Sequence, residues 1–327
     1  LQIAGRDILK CMDDRTLQLI LLPTEACNFR CIYCYEDFAY QRMDSDVVTG
    51  VLNLLSRRAP HLRALHLSWF GGEPLLAHDI VEKILEHVAR LRNTFPSLRL
   101  FSDMSTNGYL LSPGLFSKLL ELGVSQYQVS FDGAQDAHDR KRILASGRGT
   151  FDRIWNNLVA VSQISGNFTV FVRVHVASDN LTSVEELVGK FTEEFGSDCR
   201  FKIFFRQLSR MGGAKDATLP ILEYHEGKKI MQSLSHRAAT RSVSHITTED
   251  ITTICYAAQG NSFVVRADGR LNKCTVALDN PLNQVGRLRD NGEVELELPK
   301  MRYWLRGLES RSAAELGCPM YGNGARS

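Results

Sequence analysis

Six short β-rich runs alternate with six longer amphipathic stretches along most of this chain, and that rhythm limits the fold more than any other feature of the text. Leu17 to Leu22, Ala64 to Trp69, Leu98 to Met104, Gln126 to Phe131, Thr169 to Val176 and Phe201 to Phe205 read as strands. Asp46 to Arg58, Ile80 to Thr94, Ser112 to Leu122, Thr150 to Ser165, Ser183 to Phe195 and Ile221 to His236 carry helical periodicity, several with a Ser, Thr or Asp near the start. Strict alternation predicts parallel strands, right-handed crossovers and a sheet that curls into a barrel or part of one. From about Ser242 the pattern changes to short strands and turns such as Ala267-Asp268-Gly269 and Asp290-Asn291-Gly292, typical of hairpins. The expectation is a barrel domain over 1–241 and a small α+β domain over 242–327.

Composition narrows the function classes. Lys and Arg number 39 against 37 Asp and Glu, so there is no field strong enough to favour nucleic acid or an anionic membrane. No apolar stretch approaches a membrane span, and the first residues lack the basic-then-apolar order of a secretory signal, which points to a cytoplasmic protein. Eight cysteines in 327 residues are too sparse and uneven for a disulfide scaffold. Clustered thiols in a reducing compartment point to metal binding instead.

In α/β barrels reactive groups gather where strands end, because the scaffold is rigid there while loop sequence is free to vary. The motifs follow that rule. Cys27-Asn28-Phe29-Arg30-Cys31-Ile32-Tyr33-Cys34 follows the first strand, Gly71-Gly72-Glu73-Pro74 the second and Thr106-Asn107-Gly108 the third, while Ser130-Phe131-Asp132-Gly133 ends the fourth. Three thiolates at this spacing leave a four-iron cluster one ligand short. Zinc usually completes a tetrahedron from paired Cys-x2-Cys hooks, and ferredoxins supply a fourth nearby cysteine; neither pattern is present. Gly-Gly-Glu-Pro read alone is a turn that uses glycine's positive φ, and Asn107-Gly108 reads equally well as a left-handed turn.

The Cys-x3-Cys-x2-Cys run with an aromatic residue before its last cysteine, followed by Gly-Gly-Glu-Pro, resembles the radical S-adenosylmethionine (radical SAM) enzymes over roughly residues 17 to 240. The resemblance implies a partial (β/α)6 TIM-like barrel. It also implies that Cys27, Cys31 and Cys34 hold a 4Fe-4S cluster whose open iron chelates SAM, and that one electron splits SAM into methionine and a 5'-deoxyadenosyl radical. Gly71, Gly72, Glu73 and Pro74 would meet the methionine ammonium and Tyr33 the adenine; packing in the core is the plain alternative for Tyr33. Ser130 and Arg142 sit in text that looks like the "Ser-x-Asp-Gly then His-Asp-x-x-Arg" of peptide-modifying members, where Arg142 would grip a carboxylate and Ser130 the same group or ribose. A solvated helix end is the plain reading of that basic cluster. Asn107 joins the cofactor-binding candidates, whereas His175 and Arg173 read as structural.

Cys255, thirteen residues, Gly269, four more and Cys274 resemble the opening half of the SPASM extension of such enzymes, and Cys318-Pro319-Met320-Tyr321 resembles the start of its second half. The pattern departs from the extension at Tyr321 and Ser327, where family members carry further cysteines. One auxiliary 4Fe-4S cluster on Cys255, Cys274 and Cys318, as in the shorter twitch version, is therefore expected rather than two; three buried free cysteines are the alternative. Members with such tails act mainly on peptides, which implies a maturase that crosslinks or oxidises a ribosomally made precursor, with a flavodoxin or ferredoxin as electron donor. The runner-up is a sulfatase-maturase-like enzyme that makes formylglycine, disfavoured because its proposed base falls at Thr275. A non-catalytic iron–sulfur carrier is the reading from another class. Few residues precede Cys27, too few for a winged-helix peptide-recognition domain, so leader binding is expected to use the tail, an exposed strand or a separate protein.

Overall fold

The computed structural model describes residues 5–240, 254–278 and 280–320. A short helix α1 (Gly5–Lys10) leads into β1 (Thr16–Leu21), α2 (Ser45–Arg58), β2 (Ala64–Trp69), α3 (His78–Thr94), β3 (Arg99–Thr106) and α4 (Pro113–Glu121). Next come β4 (Val124–Phe131), two helices α5 (Gln135–Lys141) and α6 (Phe151–Ser162), β5 (Thr169–Val176), α7 (Leu181–Phe195), β6 (Phe201–Gln207) and α8 (Tyr224–Thr240). The tail contributes β7 (Ser262–Val265), β8 (Arg270–Asn272), β9 (Gln284–Leu288), β10 (Val294–Leu296), α9 (Leu298–Ser310) and α10 (Ala313–Gly317). All six expected strand and helix pairs are present, and α5 is an addition.

Two compact units arise. The first comprises Leu1–Ala26, Glu36–Ser102 and Ile251–Arg326, the second Cys27–Tyr35 and Asp103–Asp250. The boundary expected at residue 242 lies outside the described residues. In the first unit β1 pairs in parallel with β2, from Thr16↔Ala64 to Leu21↔Trp69. On its other side β1 pairs in parallel with β7, from Gln18↔Ser262 to Leu21↔Val265. Antiparallel pairings then run β7 to β8, β8 to β9 and β9 to β10. The tail thus covers an edge of the first strand that would otherwise present unpaired backbone groups.

Period-two burial decides which face of each strand is core: Leu17, Leu19, Leu21, Leu65, Leu67 and Trp69 are at most 1% exposed. Helix α2 buries Val47, Val48, Val51, Leu54 and Leu55, the stripe expected of a helix with one face inside. Asp46 in its first turn and Arg57 and Arg58 in its last complement the helix dipole. Each such Leu or Val stabilises the fold by roughly 1.5–3 kcal/mol.

A buried ion pair ties the chain just before the cysteine loop to the tail. Arg266 Nε donates to Glu25 Oε1 at 2.9 Å, its Nη2 donates to Oε2, and the guanidinium stands 5.5 Å from the Tyr40 ring centroid. Both side chains are at most 2% exposed.

In the second unit β4, β5 and β6 run parallel, with Gln126↔Thr169 and Val170↔Phe201 opening the two registers. Their core face packs an aromatic cluster in which Phe195 stacks on Phe201 at 4.4 Å and Phe116 meets Tyr127 at 4.6 Å. His138 of α5 is fully buried among Phe131 and Phe151, and its Nε2 lies 3.0 Å from Thr150 Oγ1. Thr150 Oγ1 in turn donates to the Arg142 carbonyl at 2.6 Å. Burial, and next the charge of Arg142, hold the His138 imidazole down at about 3.

Two outcomes follow for stability. Glu25→Leu strands a buried guanidinium and is expected to destabilise by about 3–5 kcal/mol in denaturant titrations. The double variant with Arg266→Met should recover much of that loss, and a single variant as stable as the parent would refute the pair's role. For His138, only the unfolded chain takes the proton between about pH 6.5 and the folded value. Stability present above about pH 6.5 should therefore fall as pH falls, by up to about 1.4 kcal/mol per pH unit from this residue. His138→Gln should lose that part of the slope; identical slopes would contradict it.

Candidate functional site

The loop carrying Cys27, Cys31 and Cys34 has almost no regular structure of its own, yet its backbone is fixed by residues 141–145, the end of α5 and the irregular segment after it. Arg30 N donates to the Ile143 carbonyl at 2.8 Å, Ile32 N to that of Lys141 at 3.1 Å, and Ala145 N to that of Asn28 at 2.8 Å. An antiparallel bridge joins Phe29 to Leu144, with the Phe29 side chain 1% exposed. The three cysteines are half-buried and free of disulfides.

Donors converge on the first thiol. Phe29 N donates to Cys27 Sγ at 3.3 Å, and Asn107 Nδ2 approaches the same sulfur at 3.9 Å while donating to Asn28 Oδ1 at 2.8 Å. Asn107 sits just beyond β3, and its Oδ1 accepts from Tyr109 N at 3.0 Å, which fixes the amide's orientation. N–H groups aimed at sulfur favour thiolate over thiol, the form that binds iron.

Beneath the loop lies a buried polar knot. Tyr33 Oη donates to Asp132 Oδ1 at 2.8 Å and accepts from Arg142 Nη1 at 2.8 Å; His175 Nδ1 lies 3.1 Å from the hydroxyl and 3.0 Å from Asp132 Oδ1. Asp132 reaches it from the end of β4, His175 from β5 and Arg142 from just past α5. Burial, then the charge of Arg173, push His175 down to about 4. Burial would raise Asp132, but the His175 hydrogen bond and the surrounding positive charge outweigh it and hold that carboxyl at about 2. At neutral pH the knot is thus carboxylate, neutral imidazole, phenol and guanidinium, and the hydrogen bonds assign the His175 proton to Nδ1. Burial pushes the Cys31 thiol up to about 11, with Arg142 opposing. Asn180 closes the knot from above, donating to the carbonyls of Asp132 at 2.8 Å and His175 at 2.9 Å.

In the first unit, Gly71 has φ +116°, a region that side chains rarely adopt, and a Cβ there would collide with the Thr24 carbonyl. A Cβ on Gly72 would collide with the Ala26 carbonyl. The glycines let this turn press against Thr24 to Ala26, directly before the first cysteine, and Glu73 N donates to the Ala26 carbonyl at 2.9 Å. Glu73 is fully buried, and its Oε1 accepts from Leu75 N at 3.0 Å, capping the short turn that Pro74 opens.

The segments that carry the tail cysteines are joined pairwise by hydrogen bonds. Cys255 N donates to the Leu316 carbonyl at 2.8 Å, two residues before Cys318. Tyr256 Oη stands 2.9 Å from Thr275 Oγ1 and accepts from Thr275 N at 3.0 Å, which draws the Cys274 turn to Cys255. Val276 N donates to Cys274 Sγ at 3.4 Å, the same N–H···S turn that Phe29 makes on Cys27. The preceding Lys273 is buried, donating to the carbonyls of Gln259 and Ser262, both at 2.6 Å. Burial pushes its ammonium down to about 7.

Among the described residues no group of three or more His, Cys, Asp or Glu stands close enough to hold one metal ion. A cubane asks for less, because each thiolate binds a different iron. Three half-buried thiols on a backbone-fixed loop, one already accepting from an N–H, suit that group. Of the residues singled out from sequence, Tyr33 and Arg142 meet in the knot and Asn107 meets Cys27, all within the second unit, where Cys31 and Cys34 lie on the same loop as Tyr33. Ser130 lies on β4 opposite Arg173 of β5. Gly71 to Pro74 form their own turn in the first unit, while Tyr321 and Ser327 lie outside the described residues. Sequence reasoning placed Asp132 in the Ser-x-Asp-Gly text and read His175 as structural, but it missed the hub they form, since only the register of β4 against β5 brings the two together.

The comparisons with known proteins bear on what such a site belongs to. The Radical SAM superfamily model matches residues 21–189. An uncharacterised protein of Methanocaldococcus jannaschii is 24% identical over 293 residues, 89% of this chain and 94% of that protein. A GTP 3',8-cyclase of Microcystis aeruginosa is 30% identical over 177 residues, 52% of this chain and 51% of the cyclase. A cysteine-type anaerobic sulfatase-maturating enzyme of Clostridium novyi is 23% identical over 211 residues, 62% of this chain and 54% of the enzyme. The chain thus spans nearly all of the first relative and about half the length of the other two. Among solved structures, anSMEcpe with bound AdoMet and Cp18Cys peptide matches with a TM-score of 0.66 at 18% identity, over 88% of this chain and 80% of that one. Streptococcus suis SuiB bound to precursor peptide SuiA matches with a TM-score of 0.60 at 12% identity, over 88% and 66%. At such identities the likeness is one of fold, an α/β architecture with a parallel sheet in an unclosed barrel. Among the described residues no helix is long and apolar enough to cross a membrane. With the family model spanning more than half the chain and the three-cysteine loop built as described, this protein belongs to the Radical SAM superfamily, a family of enzymes that work with a 4Fe-4S cluster and S-adenosylmethionine.

Proposed function

We propose that this chain is a peptide maturase that removes a hydrogen atom from a side chain of a ribosomally made precursor, the resulting radical losing a second electron and a proton, the electron to an auxiliary cluster, to leave a C–C or C–S crosslink or a related modification. The cluster and SAM, when bound at Cys27, Cys31 and Cys34, supply the electron and the 5'-deoxyadenosyl radical for that abstraction. The chain's own part is to hold and aim. Residues 141–145 fix the thiol-bearing backbone, Asn107 presents an N–H to the first sulfur, and the Tyr33 knot keeps the loop's underside dry and rigid. Gly71 to Pro74 are assigned to the methionine end of SAM, with their backbone rather than the capped Glu73 carboxylate the more accessible part.

The observation that carries the peptide reading is the tail, where the Cys255–Leu316 and Tyr256–Thr275 bonds join the three segments that bear Cys255, Cys274 and Cys318. We assign them an auxiliary cluster, with the 1–241 and 242–327 parts as the barrel and auxiliary regions. The likeness of fold to two enzymes solved with bound peptides supports the same reading. A flavodoxin or ferredoxin is the proposed reductant. A second reading, formylglycine formation, draws support from the Clostridium novyi relative. Against it, Thr275 offers no base, and its hydroxyl is already engaged by Tyr256.

Anaerobically reconstituted protein should hold about eight irons per chain and Cys274→Ala about four. Equal loading would remove the auxiliary cluster. Reduced with dithionite, the parent should form 5'-deoxyadenosine and Cys31→Ala none above background, while Asn107→Ala should lose about 10–100-fold in iron retention or turnover. Parent protein that forms no 5'-deoxyadenosine would defeat the enzyme reading. Supplied with its precursor, the enzyme should yield a product lacking two hydrogens and inert to a hydrazide; a hydrazide-reactive aldehyde would establish formylglycine formation instead.

A further inference from the structure

The face of β4, β5 and β6 opposite the core is lined by half-buried side chains, and at the end of β5 it carries His175 into the polar knot. Val129, Val172 and Ile203 are fully buried on the other face. Across the half-buried face Ser130, Arg173 and Phe204 stand side by side as strand partners, with Lys202 and Arg206 two residues to either side of Phe204 on β6. Side chains at such positions share a face in a parallel sheet. Three cationic residues therefore collect on two adjacent strands.

Arg173 is the odd member. Its Nε is buried with no hydrogen-bond partner among the described residues. The groups acting on it most strongly are Arg206, the Tyr33 and Tyr35 hydroxyls and Arg142, and none of these is a carboxylate. Asp132 is committed to Tyr33 and His175. Asp103 of β3 shares a face with Ser105, which accepts from Gln128 Nε2 at 3.5 Å, and it is not among the groups that act most strongly on Arg173. A half-buried guanidinium beside a second one is stabilised by an anion that takes its fork bidentately, and a buried donor without a partner asks for the same completion. Phe171, partner of Lys202, and Phe204 give apolar walls on either side, suited to the methylenes of a side chain.

We propose that this face binds a carboxylate of the substrate, with Arg173 as its anchor and Arg206 and Lys202 as supporting charges. This rests on the maturase reading and narrows its substrate class to peptides with an Asp or Glu side chain near the residue that is modified. The substrate's acid is the committed source; the carboxylate of SAM is the other candidate, and the two are separated by experiment.

The test uses reconstituted full-length protein under anaerobic conditions and three titrations by calorimetry: capped Ala-Gly-Glu-Gly-Ala, its Gln counterpart, and SAM. The Glu peptide should bind about tenfold or more tightly than the Gln peptide, the size of a charge-assisted pair. Arg173→Gln should erase that preference and Arg173→Lys should restore part of it, because an ammonium keeps the charge but not the fork. SAM affinity should be the same in all three proteins. Equal affinity of the parent for both peptides would overturn the site, as would an Arg173→Gln protein that keeps the preference and loses SAM. If Arg173→Gln does not fold by circular dichroism, the Lys variant carries the comparison, and an undiminished preference there overturns the fork. Peptide-free 5'-deoxyadenosine formation by the parent is measured in parallel. Its absence with the preference intact defeats the maturase reading alone; its presence without the preference defeats only the carboxylate site.

Discussion

Backbone pairing between the cysteine loop and residues 141–145 is the constraint on which the chemistry of this chain depends. A loop with three thiols in eight residues has no helix or strand to hold it, and three free thiols would sample many arrangements. The bonds from Arg30, Ile32 and Ala145 make residues 27–35 and 141–145 into a short ladder, so the sulfurs hang from a fixed frame. Ligand geometry then comes from main chain, which loses far less order to thermal motion than long side chains do.

Placing that ladder over a buried polar knot has a cost and a return. Desolvating Asp132 and Arg142 is unfavourable; bonds from Tyr33 and His175 to Asp132 Oδ1 and from Arg142 to Tyr33 offset it, while Asp132 Oδ2 and Arg142 Nε stay buried with no partner among the described residues. The arrangement is directional. An apolar plug of equal volume would pack as well, but it would not set the rotation of Tyr33, and through it the chain between Cys31 and Cys34. The Glu25–Arg266 pair applies the same logic in the first unit, joining the residues just before Cys27 to the turn between β7 and β8. The N–H···S turns at Cys27 and Cys274 repeat one small device at two thiol sites far apart in sequence.

Much of the architecture was legible in the text because it rests on local periodicity. Val47, Val51 and Leu55 recur at helical spacing and bury one stripe of α2; Leu17, Leu19 and Leu21 alternate and bury one face of β1. The charged stretch that ends at Arg142 has the pattern of a solvated helix end, yet α5 buries His138 and Lys141, and Arg142 after it, because Phe131, Phe151 and the knot enclose them and not because of its own pattern. The pairing of β7 with β1 was equally hidden, because a strand of four residues carries no mark of a partner some 240 positions earlier.

By itself, the sequence determined the alternation of strands and helices, the three-cysteine loop, the glycine turn and the family they signal, because these depend on spacing along the chain. Only the tertiary structure decided that Tyr33 turns its hydroxyl into a knot with Asp132, His175 and Arg142, that Asn107 reaches Cys27, and that Arg173 stands on a half-buried face beside Arg206. Those outcomes depend on strand register and on burial, which set neighbours and local dielectric, and neither quantity is written in the order of residues.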